Sequence, residues 1–262
     1  MQNVMHDVHM HIEKGEYTPE WIDRFIETAV RKSIDEIWFL EHCYLFPEFV
    51  GMYDKIRTAS EYLDKWFERK AGKRDLGEYL RLAERVRGQN NPVKIKFGLE
   101  VCYFKEHEEL VYNITKDKAL DFLVGSVHFI DNFAYDHGEN NEWRGIDADW
   151  AYRRYFETAE TLAESGIYDG LAHPDLLKIF AHKPSFSLYG QYKKLAAALA
   201  KNEMYAEQSS GAHRRTNGAC ELGMNADLLQ AMKKHGVKIY TASDAHCPED
   251  VGSFIKEAGD LL

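Results

Sequence analysis

Seven short runs of alternating or continuous apolar residues recur along the chain, and between them apolar positions return every three to four residues. The short runs fall at 3–11, 36–42, 93–101, 121–128, 168–173, 204–208 and 237–244, with the length and composition of β-strands. Between the first two, Thr18-Pro19 reads as a helix start, with Thr at the N-cap and Pro at the first helical position. Trp21, Ile22, Phe25, Ile26, Ala29 and Val30 then form one stripe, expected to be buried. Residues 149–165, 187–201 and 226–235 repeat at the same spacing, and Gly166 and Gly236 fall where helices close on a left-handed residue. Strands alternating with helices of this length predict a parallel sheet with right-handed crossovers.

Two connections exceed a simple crossover. Residues 43–92 carry two helical patterns, at 53–69 and 76–87; residues 129–147 are polar and aromatic, with Asp131, Asp136, Asp147 and Trp143. Both follow runs that end in histidine, so both are expected to overhang a barrel mouth and to set substrate choice. In the third run Val93, Ile95, Phe97 and Leu99 share one face, which leaves Glu100 on the face of Lys94 and Lys96. Two lysines turned inward are costly unless paired or near an open rim, and this predicts a barrel distorted or incomplete there.

The length of 262 residues suffices for one α/β barrel. The formal net charge of −10 argues against a general nucleic-acid binder. It leaves a small phosphorylated substrate open, because two or three divalent cations add about four to six positive charges at one spot. No apolar run reaches bilayer length and the start Met1-Gln2-Asn3 is unlike a signal peptide, so no membrane partner and a cytoplasmic location are expected. Cys43, Cys102, Cys220 and Cys247 form no CxxC pair; those beside candidate ligands, Cys43, Cys102 and Cys247, are expected to be small hydrophobes. The pattern carries no signal for oligomeric state.

The chemistry lies at the ends of the runs. Asp7, His9 and His11 stand at period-two spacing, so a regular strand sends all three to one face. Later runs close on Glu41-His42, Glu100, His128, His173 and Asp244-Ala245-His246. Imidazoles and carboxylates converging in this way suit Zn, Mn or Fe. The remaining histidines, His6, His107, His137, His182, His213 and His235, read for the most part as solvent-facing or capping residues.

As an ordered set, Asp7-Val8-His9-Met10-His11, Glu41-His42, Gly98-Leu99-Glu100, Gly125-Ser126-Val127-His128, Ala172-His173-Pro174-Asp175 and Ser243-Asp244-Ala245-His246 resemble the motifs of the PHP family, named for polymerase and histidinol phosphatase. The resemblance runs the length of the chain. It implies a single domain over residues 1–262, an α/β distorted seven-stranded (β/α) barrel with up to three divalent ions at the C-terminal ends of its strands. Carried over residue by residue, it implies that His9, His11, Glu100 and Asp244 hold one ion. Glu100 then bridges to a second ion completed by His128 and His173, and His42 and His246 hold a third. Many members carry a histidine or aspartate shortly after the second motif histidine; here Glu13 and Glu16 are available, and Glu13 is the choice because it stays near the strand end.

The expected activity is that of a metal-dependent phosphomonoesterase, with L-histidinol phosphate as substrate and an attacking hydroxide generated between ions about 3.5–4 Å apart. Asp244 or His246 is expected to return a proton to the leaving alkoxide. Asp7 reads as support for a ligand histidine and Glu41 as a residue orienting His42 or pairing with a lysine. The family's phosphatase branch carries Glu-x-Asn-x-x-Gly near Glu207-Gln208-Ser209-Ser210-Gly211, where Gln208-Ser209 replaces the usual spacing of the amide, and Arg214 and Arg215 just after it are the expected phosphate grips, with Arg154 a lesser candidate. For the alcohol end, Asp131, Asp136, Glu139 and Trp143 in one loop and Tyr44, Phe46 and Phe49 in the other are the candidate recognition residues. The rival readings are a phosphodiesterase or nucleotide phosphatase of the same family, a metal amidohydrolase, and a non-catalytic metal-binding module.

Overall fold

All seven predicted strands form, and they pair side by side in chain order. The computed structural model describes residues 4–137 and 143–262. The strands are β1 (His6–Met10), β2 (Glu36–His42), β3 (Lys94–Cys102), β4 (Phe122–Ser126), β5 (Gly170–Leu171), β6 (Tyr205–Ser209) and β7 (Ile239–Ala242), every neighbouring pair parallel. Beyond β7 the chain returns to β1: Met10 bridges Ala245, and His11 N–H donates to the Ala245 carbonyl at 2.8 Å. The sheet thus curls into a nearly closed barrel whose strand C-termini share one mouth.

Two cores follow from the alternation of side chains. Val8, Trp38, Leu40, Phe122, Val124, Ala172, Tyr205 and Ala242 plug the barrel interior, while a larger outer layer joins the strands to the helices. Helix Pro19–Arg31 starts as expected, with Thr18 Oγ1 accepting from Trp21 N–H. Its stripe is narrower than predicted, because Val30 faces solvent. Helices Ala148–Glu164, Tyr189–Lys201 and Ala226–His235 match their patterns closely, and Gly236 caps the last at φ 74°. The pattern at 53–69 is two helices, Asp54–Ala59 and Glu61–Lys70, split where Ser60 turns extended and caps the second through Leu63 N–H. No helix among the described residues is long and apolar enough to cross a membrane.

The inward lysines have a specific explanation. Glu36 opens β2 at the barrel's lower rim, and its carboxylate meets Lys94 Nζ at 3.1 Å and Lys96 Nζ at 3.4 Å. Lys96 also lies over the Trp38 ring at 3.8 Å. The pairing of β2 with β3 is regular there, so ion pairing at the rim rather than a broken sheet accommodates the two charges.

Candidate metal centre

A β-bulge builds the mouth's first wall. His6 pairs with Glu36 and Asp7 with Ile37, but Met10 pairs with Phe39, so β1 holds one residue more than β2 over this stretch. Val8 consequently packs inside the barrel with Trp38, whereas Met10 packs outside with the core that holds Phe39. The extra residue re-aims the chain so that His9 and His11 converge and Asp7 does not join them. Asp7, expected to support a ligand histidine, instead accepts Ser243 N–H at 2.8 Å and Gly252 N–H at 2.7 Å. It anchors the loop that carries Asp244 and His246.

His9 Nε2 and His11 Nε2 approach to 2.9 Å. Glu100 Oε2 lies 3.6 and 3.4 Å from them, and Asp244 Oδ1 lies 3.7 Å from each. Four donors at 2.0–2.1 Å around a tetrahedral ion stand about 3.3 Å apart, so this quartet has the dimensions of a first-row metal site. The other Glu100 oxygen, Oε1, lies 2.9 Å from His128 Nε2 and 3.1 Å from His173 Nε2. Glu100 therefore faces two donor sets with its two oxygens, as a bridging carboxylate must.

His42 and His246 flank the His11 ring, stacked and tilted at centroid distances of 3.9 and 4.4 Å. Glu13 Oε1 lies 4.0 Å from His246 Nε2, while Glu16 is exposed and turned to Arg74. Of the two glutamates only Glu13 is near the cluster. Glu100 Oε2 and His42 Nδ1 lie 2.7 Å apart yet out of line for a hydrogen bond, and His11 Nδ1, His173 Nδ1, Glu13 Oε2 and Glu41 Oε2 are also buried without partners. Such crowding of unpartnered acceptors and lone pairs fits cations.

Titration behaviour follows from the same crowding. Burial and the neighbouring His42, His246 and His9 rings hold His11 well below the usual imidazole range. Burial pushes Glu100 upward, but the surrounding imidazoles, led by His42 and His128, prevail and hold it well below the ordinary carboxylate range. At His128 burial opposes the charged form, and Glu100 and Asp136 outweigh it, raising the group to about 10. Glu41 is raised by burial and by Glu13; its Oε1 accepts Ile12 N–H and its Oε2 lies 3.9 Å from His11 Nδ1, near that ring but beyond hydrogen-bond reach.

Around this centre opens a cavity of about 530 Å³. Arg214 and Arg215 both line it. Arg214 bonds Asp250 Oδ2 and the Asp244 carbonyl, each at 2.7 Å, and Arg215 donates to the Asp136 carbonyl at 3.2 Å. Arg154 is elsewhere, paired to Asp131 and Glu157 on the outer surface.

The recognition residues are rearranged. Asp136 and Tyr44 line the cavity, but Phe46 and Phe49 are wholly buried in the outer core. Trp143 is also buried, its Nε1 donating to the Tyr135 carbonyl and its ring stacked on His182. A short hairpin, Phe129–Ile130 with Phe133–Ala134, turns Asp131 away from the mouth; Glu139 lies outside the described residues. Tyr62 and Trp66, from helix Glu61–Lys70, and His137 line the cavity instead. Trp66 packs edge-on to Tyr44 and to His137, with centroids 5.1 and 5.0 Å apart. His137 is thus a mouth residue, against the expectation that it is peripheral. All four cysteines are free thiols; Cys43 and Cys102 are buried and Cys247 is partly exposed.

The comparisons agree with this geometry. The PHP domain profile matches residues 7–210. A probable histidinol-phosphatase of Deinococcus radiodurans is 28% identical over 176 residues, 64% of this chain and 65% of that relative, so the matched part spans just under two thirds of its length. Histidinol-phosphatase of Bacillus subtilis is 25% identical over 247 residues, 87% of this chain and 88% of the relative. Among solved structures, histidinol phosphate phosphatase of Lactococcus lactis, complexed with zinc, L-histidinol and phosphate, aligns with a TM-score of 0.69 at 19% identity, covering 98% of this chain and 94% of that one. A profile match over most of the chain, borne by motifs that converge on one barrel mouth, establishes that the chain belongs to the PHP domain family.

Proposed function

We propose that the protein is a metal-dependent phosphomonoesterase that hydrolyses L-histidinol phosphate to L-histidinol and phosphate, with residues 1–262 acting as one barrel domain. The observation that carries this reading is the joining, in one cavity, of a two-faced Glu100 donor set, two arginines and an aromatic wall. The names of the Deinococcus and Bacillus relatives, and the ligands of the Lactococcus structure, support the same substrate.

His9, His11, Glu100 and Asp244 would hold one ion, Glu100, His128 and His173 a second, and His42, His246 and Glu13 a third, with Zn, Mn or Fe suited to these donors. When bound, such ions supply the Lewis acidity that activates water and neutralises charge on the transferring phosphoryl group. Arg215, and Arg214 with its remaining N–H groups, grip the phosphate oxygens from the cavity wall. His246 Nδ1 bonds the Asp244 carbonyl at 2.9 Å and its Nε2, 4.0 Å from Glu13 Oε1, faces the third donor set, so neither ring nitrogen would be left to carry a proton once that set held its ion. Asp244 is then the residue left to take the proton of the attacking water, on the carboxylate oxygen not turned to His9 and His11, and to pass it to the leaving alkoxide. Trp66, Tyr62 and Tyr44 line the cavity where the imidazole of the alcohol would pack, in the role expected of Phe46, Phe49 and Trp143.

Steady-state kinetics on four esters test the proposal. L-histidinol phosphate should exceed glycerol phosphate by about 100-fold or more in kcat/KM, and p-nitrophenyl phosphate should exceed its bis-ester. Equal rates on the first two reject the histidinol assignment. A preference for the bis-ester moves the activity to phosphodiester hydrolysis.

A further inference from the structure

Glu207 is wholly buried on β6, and both its oxygens face His9 Nδ1, at 2.9 and 3.0 Å. A carboxylate only accepts, so His9 carries its proton on Nδ1 and presents the lone pair of Nε2 to the quartet with His11, Glu100 and Asp244. The same carboxylate reaches a second element: Oε2 accepts the backbone N–H of His173 at 3.1 Å. His173 adopts φ 29°, a left-handed conformation that a side-chain-bearing residue rarely takes unless its surroundings hold it there. One buried side chain therefore fixes an imidazole of the first donor set by its ring and an imidazole of the second by its backbone.

We propose that Glu207 is a positioning residue that couples two ion sites, setting the orientation of His9 and His173 together. The proposal rests on the metal-centre reading above. Asp136 provides an internal contrast, because of the six candidate ligand imidazoles it bonds His128 alone, at Nδ1 and 3.2 Å. Loss of a histidine's supporting carboxylate lowers metal affinity by about 10–100-fold, so Glu207→Gln should show that loss at two sites and Asp136→Asn at one.

The test is a titration of the metal-stripped protein with Zn²⁺ against a competing chelator, read by elemental analysis and by the zinc-induced rise in Tm. For Glu207→Gln the expected result is two weakened zinc equivalents, a smaller zinc-induced rise, and a zinc-free Tm close to that of the wild type. A merely structural role lowers the zinc-free Tm and leaves zinc affinity unchanged, and that result overturns the proposal. Weakening of one equivalent only overturns the coupling as well. If Glu207→Gln fails to accumulate, Glu207→Asp, which keeps the charge but withdraws the oxygens by one methylene, is read in the same titration by the same criteria. Absence of zinc binding by the wild type is a separate result, one that rejects the metal centre itself.

Discussion

The two ends of the barrel bury charge in opposite ways. At the lower rim Glu36 accepts Trp38 Nε1–H at 2.7 Å and pairs with Lys94 and Lys96, whose stems reach toward solvent. That cluster pairs its carboxylate with cations of the protein itself. At the mouth, Glu100, Asp244 and Glu13 meet a crowd of imidazoles, of which burial and neighbouring rings keep His11 from protonation while Glu100 and Asp136 favour it at His128, and several oxygens and ring nitrogens remain without partners. The apolar plug from Val8 to Ala242 separates the two clusters. A buried carboxylate among ammonium groups is part of the scaffold, whereas one among crowded imidazoles with unpartnered atoms has the donor set that fits a cation from outside.

Removing metal is the strongest way to test that difference. Dialysis against a chelator should cut phosphatase activity by at least about 10³-fold, since metal Lewis acidity contributes several kcal/mol to such reactions. Far-UV circular dichroism should persist, because the lower rim and the outer core involve no ion. Unfolding on chelation would make the mouth a structural cluster like its counterpart below and would break the comparison.

Matched neutralisations at the two ends come next. Glu100→Gln should reduce turnover by about 10³-fold and lower bound metal, because a neutral amide bridges two cations poorly. Glu36→Gln should leave kcat unchanged and cost about 1–2 kcal/mol, a Tm lower by a few degrees, since it weakens charge-assisted hydrogen bonds at a hydrated rim. Both are measured by elemental analysis, thermal melts and steady-state rates. A loss of activity with Glu36→Gln would show that the plug does not isolate the two ends.

The same contrast marks what the sequence reveals and what it conceals. The seven strands, their order and the convergence of His9, His11, His42, Glu100, His128, His173, Asp244 and His246 were legible, because each residue closes an apolar run and parallel strands bring such ends together. The direction of Asp7 was not legible, since one extra residue in a strand appears only in its pairing with the next. Glu207 was visible as a family-like motif residue, but not as the partner of His9 and His173, which lie 198 and 34 positions away. The helical period of residues 53–69 was legible too, though not its break at Ser60, and only the packing of helix Glu61–Lys70 decides that Tyr62 and Trp66 meet the mouth while Phe46 and Phe49 do not.

That packing makes Trp66 the residue to alter for specificity. Trp66→Ala should raise KM for L-histidinol phosphate by about 10-fold, the worth of an aromatic stacking and cation–π contact of 1–2 kcal/mol. KM for glycerol phosphate should not change. A parallel rise for both esters would show that the helix shapes the mouth in general and does not read the imidazole.

The smallest expected effect separates the two arginines. Arg214 is committed to Asp250 and to the Asp244 carbonyl, so it resembles the paired lysines of the lower rim in being fixed by protein atoms. Arg215 is more exposed, with 38% of its side chain accessible, and reaches Asp136 through one backbone bond and one loose ion pair at 3.8 Å. A guanidinium has five N–H donors, so these contacts leave several for a phosphate. Arg215→Ala should therefore raise KM for the monoester by about 5–10-fold with kcat little changed, the pattern of an interaction equal in ground and transition states. Arg214→Ala should lower kcat as well, because it frees the Asp244 backbone, which already holds φ 52°. An unchanged KM in Arg215→Ala would return that residue to the role of a surface ion pair, and with it the claim that the mouth, unlike the rim, keeps cationic hydrogen-bonding capacity in reserve for substrate.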